Sequence, residues 1–437
     1  MKAMKPWQKI IMGLAAALVL FAALLLIPAI RNRIFSRLEN AATRIEYAVF
    51  KPTEVVFVPE GGSTPQATPT SSSPDVLEVT PSVEPTLVES TPTPAVTVTP
   101  LPTSVVLEGV RYEDQHGLWN YCAPATLSMG LSYWQWEGDR TVTGQAMKPT
   151  DQDLNVMPYE MVDFVEANTE LDALWRYGGT LDLLKRLVAA GYPVVIEKGA
   201  LIRETTSGQI TWMGHYNLVV GYDDATSEII VRDSYYSPPD YPLDYRISYE
   251  QLTQEWRGFN YVFVVIYPPA DHDKVVAVLG DYANDATANA IAAQKASEEI
   301  DSLGDPEKLF AWYNRGTSLV ALQDYAGAAS AYDAAFNYLA GLSEDIAPKK
   351  VMRLVWYQTG PYFAYYYSGR YQDMVNLADK VLAMPSNGPN LEESLYWRAM
   401  AKRMMGDTPG AVADLQASLV VHPEFGPSVN LLQELGY

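Results

Sequence analysis

Residues 61–104 are dominated by Pro, Thr, Ser and Val (STPQATPTSSSP, STPTPAVTVTPLPTS), a composition that cannot collapse into a core and stays extended. Folding is therefore set by what lies on either side of this stretch. A chain of 437 residues exceeds what one hydrophobic core can serve, which suggests about two or three domains. Before the stretch, residues 10–27 (IIMGLAAALVLFAALLLI) are uncharged and mostly apolar, about 27 Å as a helix. They read as a transmembrane signal-anchor spanning 10–28, behind a short tail at 1–9 and ahead of a juxtamembrane segment at 29–60. Basic residues flank the span on both sides, so they do not orient it. The extended stretch, read as a stalk, favours a single-pass protein of the cell membrane with extracytoplasmic C-terminal domains; a cytosolic linker is the alternative.

The formal net charge is −21, from 52 acids against 31 bases, which excludes a nucleic-acid backbone as partner. A single cysteine, Cys122, forbids an internal disulfide. There is no CxxC and no HExxH, and four histidines (His116, His215, His272, His422) beside one cysteine give no zinc signature. No metal and no cofactor is expected.

From about 105 to 268 the pattern becomes that of a folded domain. VVLEGVRYEDQ reads as a short strand and turn. The run APATLSMGLSYWQW (123–136) has apolar residues at helical spacing, and Pro124 is tolerated because a first turn needs no amide donor. Helices are also expected at 159–167 and at 181–190, the latter closed by Gly191. Buried or alternating runs at 193–197, 216–222, 228–233 and 261–267 then read as strands. Helices first and an antiparallel sheet second make an α+β domain.

Beyond Pro269 the pattern is helical throughout. A connector at 269–303 leads to 304–437, where small and aromatic residues recur at similar offsets: Gly316, Tyr325, Ala328 and Tyr332, then Ala399, Gly406, Ala411 and Leu415. A weaker copy lies around Tyr371–Val381, and a final helix at 428–435 would cap the stack. These offsets resemble the tetratricopeptide repeat, which implies an all-α solenoid able to hold a protein or peptide partner.

Cys122 sits in QHGLWNYCAPAT (115–126), where a polar stretch runs into a helix. A thiol in the first turn of a helix is pushed toward thiolate by unpaired amides and the helix dipole. A cysteine nucleophile also needs a base, and the base an acceptor that fixes its tautomer. His215 precedes the strand at 216–222, and Asp233 ends the next one. A short turn joins the two strands, so His215 and Asp233 can lie side by side. Gln115, seven positions before Cys122, carries an amide suited to an oxyanion, together with the Cys122 backbone amide. His116 is a rival base at the cleft mouth, and Asn155–Tyr159 with Glu160 shape the cleft. Trp119 and Tyr121 wall the site.

The order Gln, Cys, His, Asp, the NYCAPAT helix start and the pair GHYNLVVGYD and VRD resemble the papain-like cysteine peptidases, specifically the C39-like peptidase family, over residues 105–268. The resemblance implies Cys122 as nucleophile, His215 as general base and acid, Asp233 as the acid that orients it, and Gln115 as oxyanion donor. Ala123 stands where the family usually has glycine, and the interval from Gln115 to Cys122 is one residue longer than typical. The leading expectation is thus a membrane-anchored cysteine peptidase that hydrolyses peptide or amide bonds, its repeats recruiting a partner. A catalytically inactive scaffold acting through the repeats, or a thiol acyltransferase, are the alternatives.

Overall fold

The computed structural model of the protein describes residues 56–61, 100–118, 120–150, 153–203, 210–342, 351–384 and 391–437. Its centre is a seven-stranded antiparallel sheet: β1 (Ser104–Val106), β2 (Asp172–Arg176), β3 (Val194–Arg203), β4 (Ile210–Asp223), β5 (Glu228–Asp233), β6 (Tyr245–Ser248) and β7 (Phe263–Tyr267). The strand order is β2-β7-β3-β4-β5-β6, with β1 paired to the far end of β4. Successive residues on a strand face opposite sides, and here both sides are buried. On β5, Ile229 and Val231 enter one core while Ile230 enters the other. On β7, Phe263, Val265 and Tyr267 divide from Val264 and Ile266 in the same way.

One face is covered by α1 (Cys122–Tyr133), α2 (Arg140–Met147) and α3 (Pro158–Asn168). Every residue of α1 from Ala123 to Ser132 is buried, which is why its sequence is apolar on all sides. A Cβ at Gly130 would stand 3.3 Å from Ile266 and 3.4 Å from Leu218, so the glycine sets how closely α1 approaches the sheet. The other face takes α4 (Leu181–Ala189), α5 (Tyr249–Arg257) and α6 (His272–Leu279). The helical and strand runs expected from sequence are present, but the sheet is interleaved with helices. The strand β2 precedes α4, and α5 separates β6 from β7. The expected strand at 193–197 extends through Arg203, and that at 216–222 begins at Ile210.

The rest is helical: α7 (Asp285–Ser302), α8 (Glu307–Ala321), α9 (Tyr325–Gly341), α10 (Leu354–Tyr357), α11 (Gly360–Tyr367), α12 (Tyr371–Leu382), α13 (Glu392–Met404), α14 (Thr408–Val421) and α15 (Gly426–Glu434). Asp324 and Asp407 cap α9 and α14 by accepting from the amides of Gly327 and Gly410.

These helices share a core with the sheet domain. Trp212 on β4 stacks on Phe259 at 5.6 Å and on Phe310 of α8 at 5.8 Å. Asn314 Nδ2 donates to the Arg257 carbonyl (2.8 Å), and Gln358 Nε2 to the Gly258 carbonyl (2.7 Å). The connector is likewise divided, since Val275 and Leu279 of α6 lie in the sheet's own core.

The expected membrane anchor is corrected. The span at 10–28 lies outside the described residues, as does most of the stalk. Among the described residues no helix is long and apolar enough to cross a membrane. The longest, α7, has 18 residues and carries Asp285, Lys295, Glu298, Glu299 and Asp301, charges that a bilayer core would reject. No described helix supports the single-pass placement, the membrane as partner or the membrane-anchored form of the peptidase, and these expectations are carried no further. Residues 56–60, at the end of the expected juxtamembrane segment, dock on the helices. Phe57 meets Phe336 edge-on at 5.2 Å, and the Glu60 amide donates to Asp373 Oδ1 at 3.0 Å.

Candidate active site

Asn120 adopts a left-handed conformation (φ 49°) that asparagine tolerates, and its side-chain amide donates to the Leu154 carbonyl at 3.2 Å. Helix α1 then begins at Cys122 itself, with no side chain capping its free amides. One turn on, Thr126 Oγ1 donates to the Tyr216 carbonyl (3.2 Å), which turns this face of α1 toward β4. Cys122 is half-buried, and its sulfur faces the His215 ring and the Tyr216 amide.

His215 leads the buried part of β4 and is 2 % exposed. Its Nε2 lies 2.8 Å from Asp233 Oδ1 and its side chain also bonds Cys122, so the nitrogen facing sulfur is Nδ1. Asn217 and Asp233 are directly paired across β4 and β5. His215, two residues before Asn217, shares its face of the strand. That register places one carboxylate between two β4 side chains. Asp233 Oδ2 accepts from Asn217 Nδ2 at 2.8 Å, while Oδ1 also accepts from the amides of Tyr235 (2.8 Å) and Tyr236 (3.0 Å).

Burial opposes charge on all three groups, and their mutual contacts reverse it. For Cys122, burial raises the thiol, but the hydrogen bond and charge of His215, with the Tyr216 amide, hold it below its ordinary value. His215 is depressed by burial yet raised to about 9 by Asp233 and Cys122. Burial would likewise raise Asp233, which the charge and hydrogen bond of His215 hold well below the usual carboxylate range. A thiolate beside an imidazolium is therefore the favoured charge state near neutral pH.

Gln115 lies against the residue after Asp233. Its backbone N–H donates to the Ser234 carbonyl (2.9 Å), and its side-chain Oε1 accepts from Ser234 Oγ (3.0 Å). His116, the rival base, is placed elsewhere, its Nε2 at 2.9 Å from the Tyr235 carbonyl. Trp119 is outside the described residues.

Three neighbours had no sequence signal. Glu197 on β3 pairs with Tyr216 across the strands and is hydrogen-bonded to it; burial and the charge of Cys122 push its carboxyl well above the usual range. Tyr357 arrives from the helical region and bonds the Gly214 backbone. Asn217 was inside the expected strand, but nothing in its context marked it as a carboxylate's partner.

A thiol at a helix tip, joined through an imidazole to a buried carboxylate on an antiparallel sheet, is the construction of a cysteine-type peptidase domain. The particular family follows from comparison: the family described as the Peptidase_C39 like family matches residues 107–263. These residues form a C39-like peptidase domain, a cysteine-type peptidase in family and fold. Among solved structures, the chain is similar to a Bacillus anthracis protein described as a C39-like peptidase, with 18% identity, TM-score 0.31, and coverage of 37% of this chain and 96% of that one. Xylellain, a cysteine protease from Xylella fastidiosa, shows 17% identity and TM-score 0.28 over 41% of this chain and 90% of its own. No curated protein matches.

Proposed function

We propose that the domain at 107–263 cleaves peptide or amide bonds in a peptide or protein substrate through Cys122, His215 and Asp233. The observation that carries this is the His215 ring, bonded to the Cys122 thiol on one side and to Asp233 at 2.8 Å on the other. The Cys122 thiolate attacks the scissile carbonyl carbon, and the carbonyl electrons move to oxygen. As the tetrahedral adduct collapses, His215 Nδ1–H gives its proton to the leaving amine and a thioester remains. Neutral His215 then takes a proton from water, whose oxygen attacks the thioester; the acid leaves and the thiolate returns. Asp233 keeps Nε2 protonated throughout and never leaves its four donors.

Gln115 and the Cys122 backbone amide serve the oxyanion. In support, the bond from Ser234 Oγ fixes Gln115 Oε1, which turns the donor end of that amide away from Ser234. The helical pairs α8–α9, α11–α12 and α13–α14 we read as a tetratricopeptide-like stack. Two of their turns carry the same device, an Asp cap preceding a helix that begins beside a left-handed residue, Gln323 or Gly406.

The test is a peptide library with product analysis by mass spectrometry. Cleavage by the wild type and its loss in Cys122→Ala supports hydrolysis. Products joined to an added amine would replace it with acyl transfer, and unchanged cleavage in Cys122→Ala would overturn the site.

A further inference from the structure

Away from the peptidase site, three side chains from distant parts of the chain converge where the helical region meets the sheet domain. Asp153 lies in the loop between α2 and α3, Glu392 is the first residue of α13, and His422 follows the last residue of α14. One donor atom from each lies within 4.8 Å of the others. His422 Nδ1 is 3.1 Å from Asp153 Oδ2 and 3.9 Å from Glu392 Oε1.

Asp153 is fully buried and Glu392 is 1% exposed, yet both oxygens of Asp153, Oε2 of Glu392 and Nδ1 of His422 lack a hydrogen-bond partner. The 3.1 Å contact has ion-pair distance without hydrogen-bond alignment. A buried carboxylate with neither oxygen satisfied is costly, and such groups are found paired or on a metal. The Lys148 ammonium donates to the backbone carbonyl of Asp153, while neither oxygen of the Asp153 carboxylate accepts a hydrogen bond. Glu393, 6% exposed, adds a further acid beside Glu392.

We propose that Asp153, Glu392 and His422 bind one divalent transition-metal ion, Zn²⁺ fitting best, which clamps the helical region to the loop before α3. One imidazole nitrogen with two carboxylate oxygens suits zinc, whereas calcium and magnesium prefer oxygen alone. Tetrahedral zinc with bonds of about 2.1 Å separates its ligands by about 3.4 Å, a value between the 3.1 and 3.9 Å at which His422 Nδ1 stands from the two carboxylates. The clamp reaches the peptidase site through its loop. Leu154 accepts from Asn120 at 3.2 Å and Val156 accepts from Tyr216 Oη at 2.9 Å, so the ion holds the backbone against which Cys122 is set.

The test uses the full chain carrying Cys122→Ala, which removes the thiolate as a competing ligand. After chelator treatment it is titrated calorimetrically with ZnCl₂, and with CaCl₂ for comparison. One equivalent of Zn²⁺ binds with a rise in Tm, and Asp153→Asn, Glu392→Gln and His422→Ala each weaken binding at least about tenfold. Circular dichroism identifies the variants that remain folded, and the near-isosteric Glu392→Gln retains shape if His422→Ala does not. No stoichiometric binding by the parent, or binding unchanged in folded Glu392→Gln and Asp153→Asn, overturns the proposal. Equal preference for Ca²⁺ overturns the assignment to a transition metal.

Discussion

Asn217 and Asp233 face each other across β4 and β5, and the 2.8 Å bond from Asn217 Nδ2 occupies Asp233 Oδ2, leaving Oδ1 to His215. The strand pairing thus fixes which carboxylate oxygen meets the imidazole. Rotation of the carboxylate would break bonds at both ends, so the His215 ring is held in one orientation. Without that orientation, Nδ1 would not be turned to sulfur.

Asp233→Asn removes the charge that lifts His215 to about 9, and the imidazole should fall back toward its ordinary 6.5. Turnover should drop by roughly 10²–10⁴, with the alkaline limb of the pH profile moving down, as expected when a general acid–base loses its partner. Asn217→Ala keeps the charge but frees Oδ2, and should cost about 1–3 kcal/mol of stability with a smaller loss of rate. Steady-state kinetics across pH on both variants checks this.

The same pair makes a signed prediction for stability. His215 is raised, so its contribution is full below about 6.5 and is lost as pH rises through about 9. Asp233 is lowered, so its contribution is full above its unfolded value of 3.8 and is lost only as pH falls through its depressed folded value. The Tm gap between wild type and Asp233→Asn should be widest from about pH 4 to 6.5 and shrink above about 9. Thermal melts across this range decide it.

Iodoacetamide should alkylate Cys122 readily near pH 6, because the thiolate is held by His215 and the Tyr216 amide. In His215→Ala burial acts without that cation, and the reactive range should shift to higher pH. Mass spectrometry of the single cysteine reads the rate directly. An unshifted profile would show that the imidazole does not support the thiolate.

Trp212 joins sheet and helices through Phe259 and Phe310, and it is 5% exposed. Trp212→Ala should destabilise the protein by about 3–5 kcal/mol and loosen the two parts together. Urea unfolding should show one shared transition in the wild type and a lower midpoint in the variant. Two separate transitions in the wild type would contradict the shared core.

A Cβ at Gly214 would stand 2.7 Å from Phe259, closer than real side chains approach, and in tight contact with Tyr357 at 3.0 Å and Glu197 Oε1 at 3.1 Å. Gly214→Ala should therefore displace the backbone beside His215 at a cost of about 1–3 kcal/mol and slow alkylation of Cys122. Pairing it with Tyr357→Ala, which relieves one of these three close contacts, should recover part of both losses. No recovery would mean that Tyr357 does not press on the strand there.

The sequence alone determined the local parts. The apolar spacing from Ala123 onward placed a helix just after Cys122. The period-two runs at 216–222 and 228–233, joined by Asp224–Ser227, set His215 and Asp233 within reach, because a short turn between adjacent strands leaves few other pairings. The helical character after Pro269 was equally local, written in its spacing of small and aromatic residues.

Tertiary structure decided the rest. Glu197 reached the site through pairing with β4, and Tyr357 through docking of the helical region. His422, one of four histidines without a motif, found Asp153 and Glu392 because α13 and α14 bring it back against a loop far earlier in the chain. Such contacts join residues that share no turn, strand pair or helical repeat, so periodicity carries no trace of them. The physical reason is that helix and strand signals arise from neighbours along the backbone, whereas buried polar clusters are set by which surfaces pack.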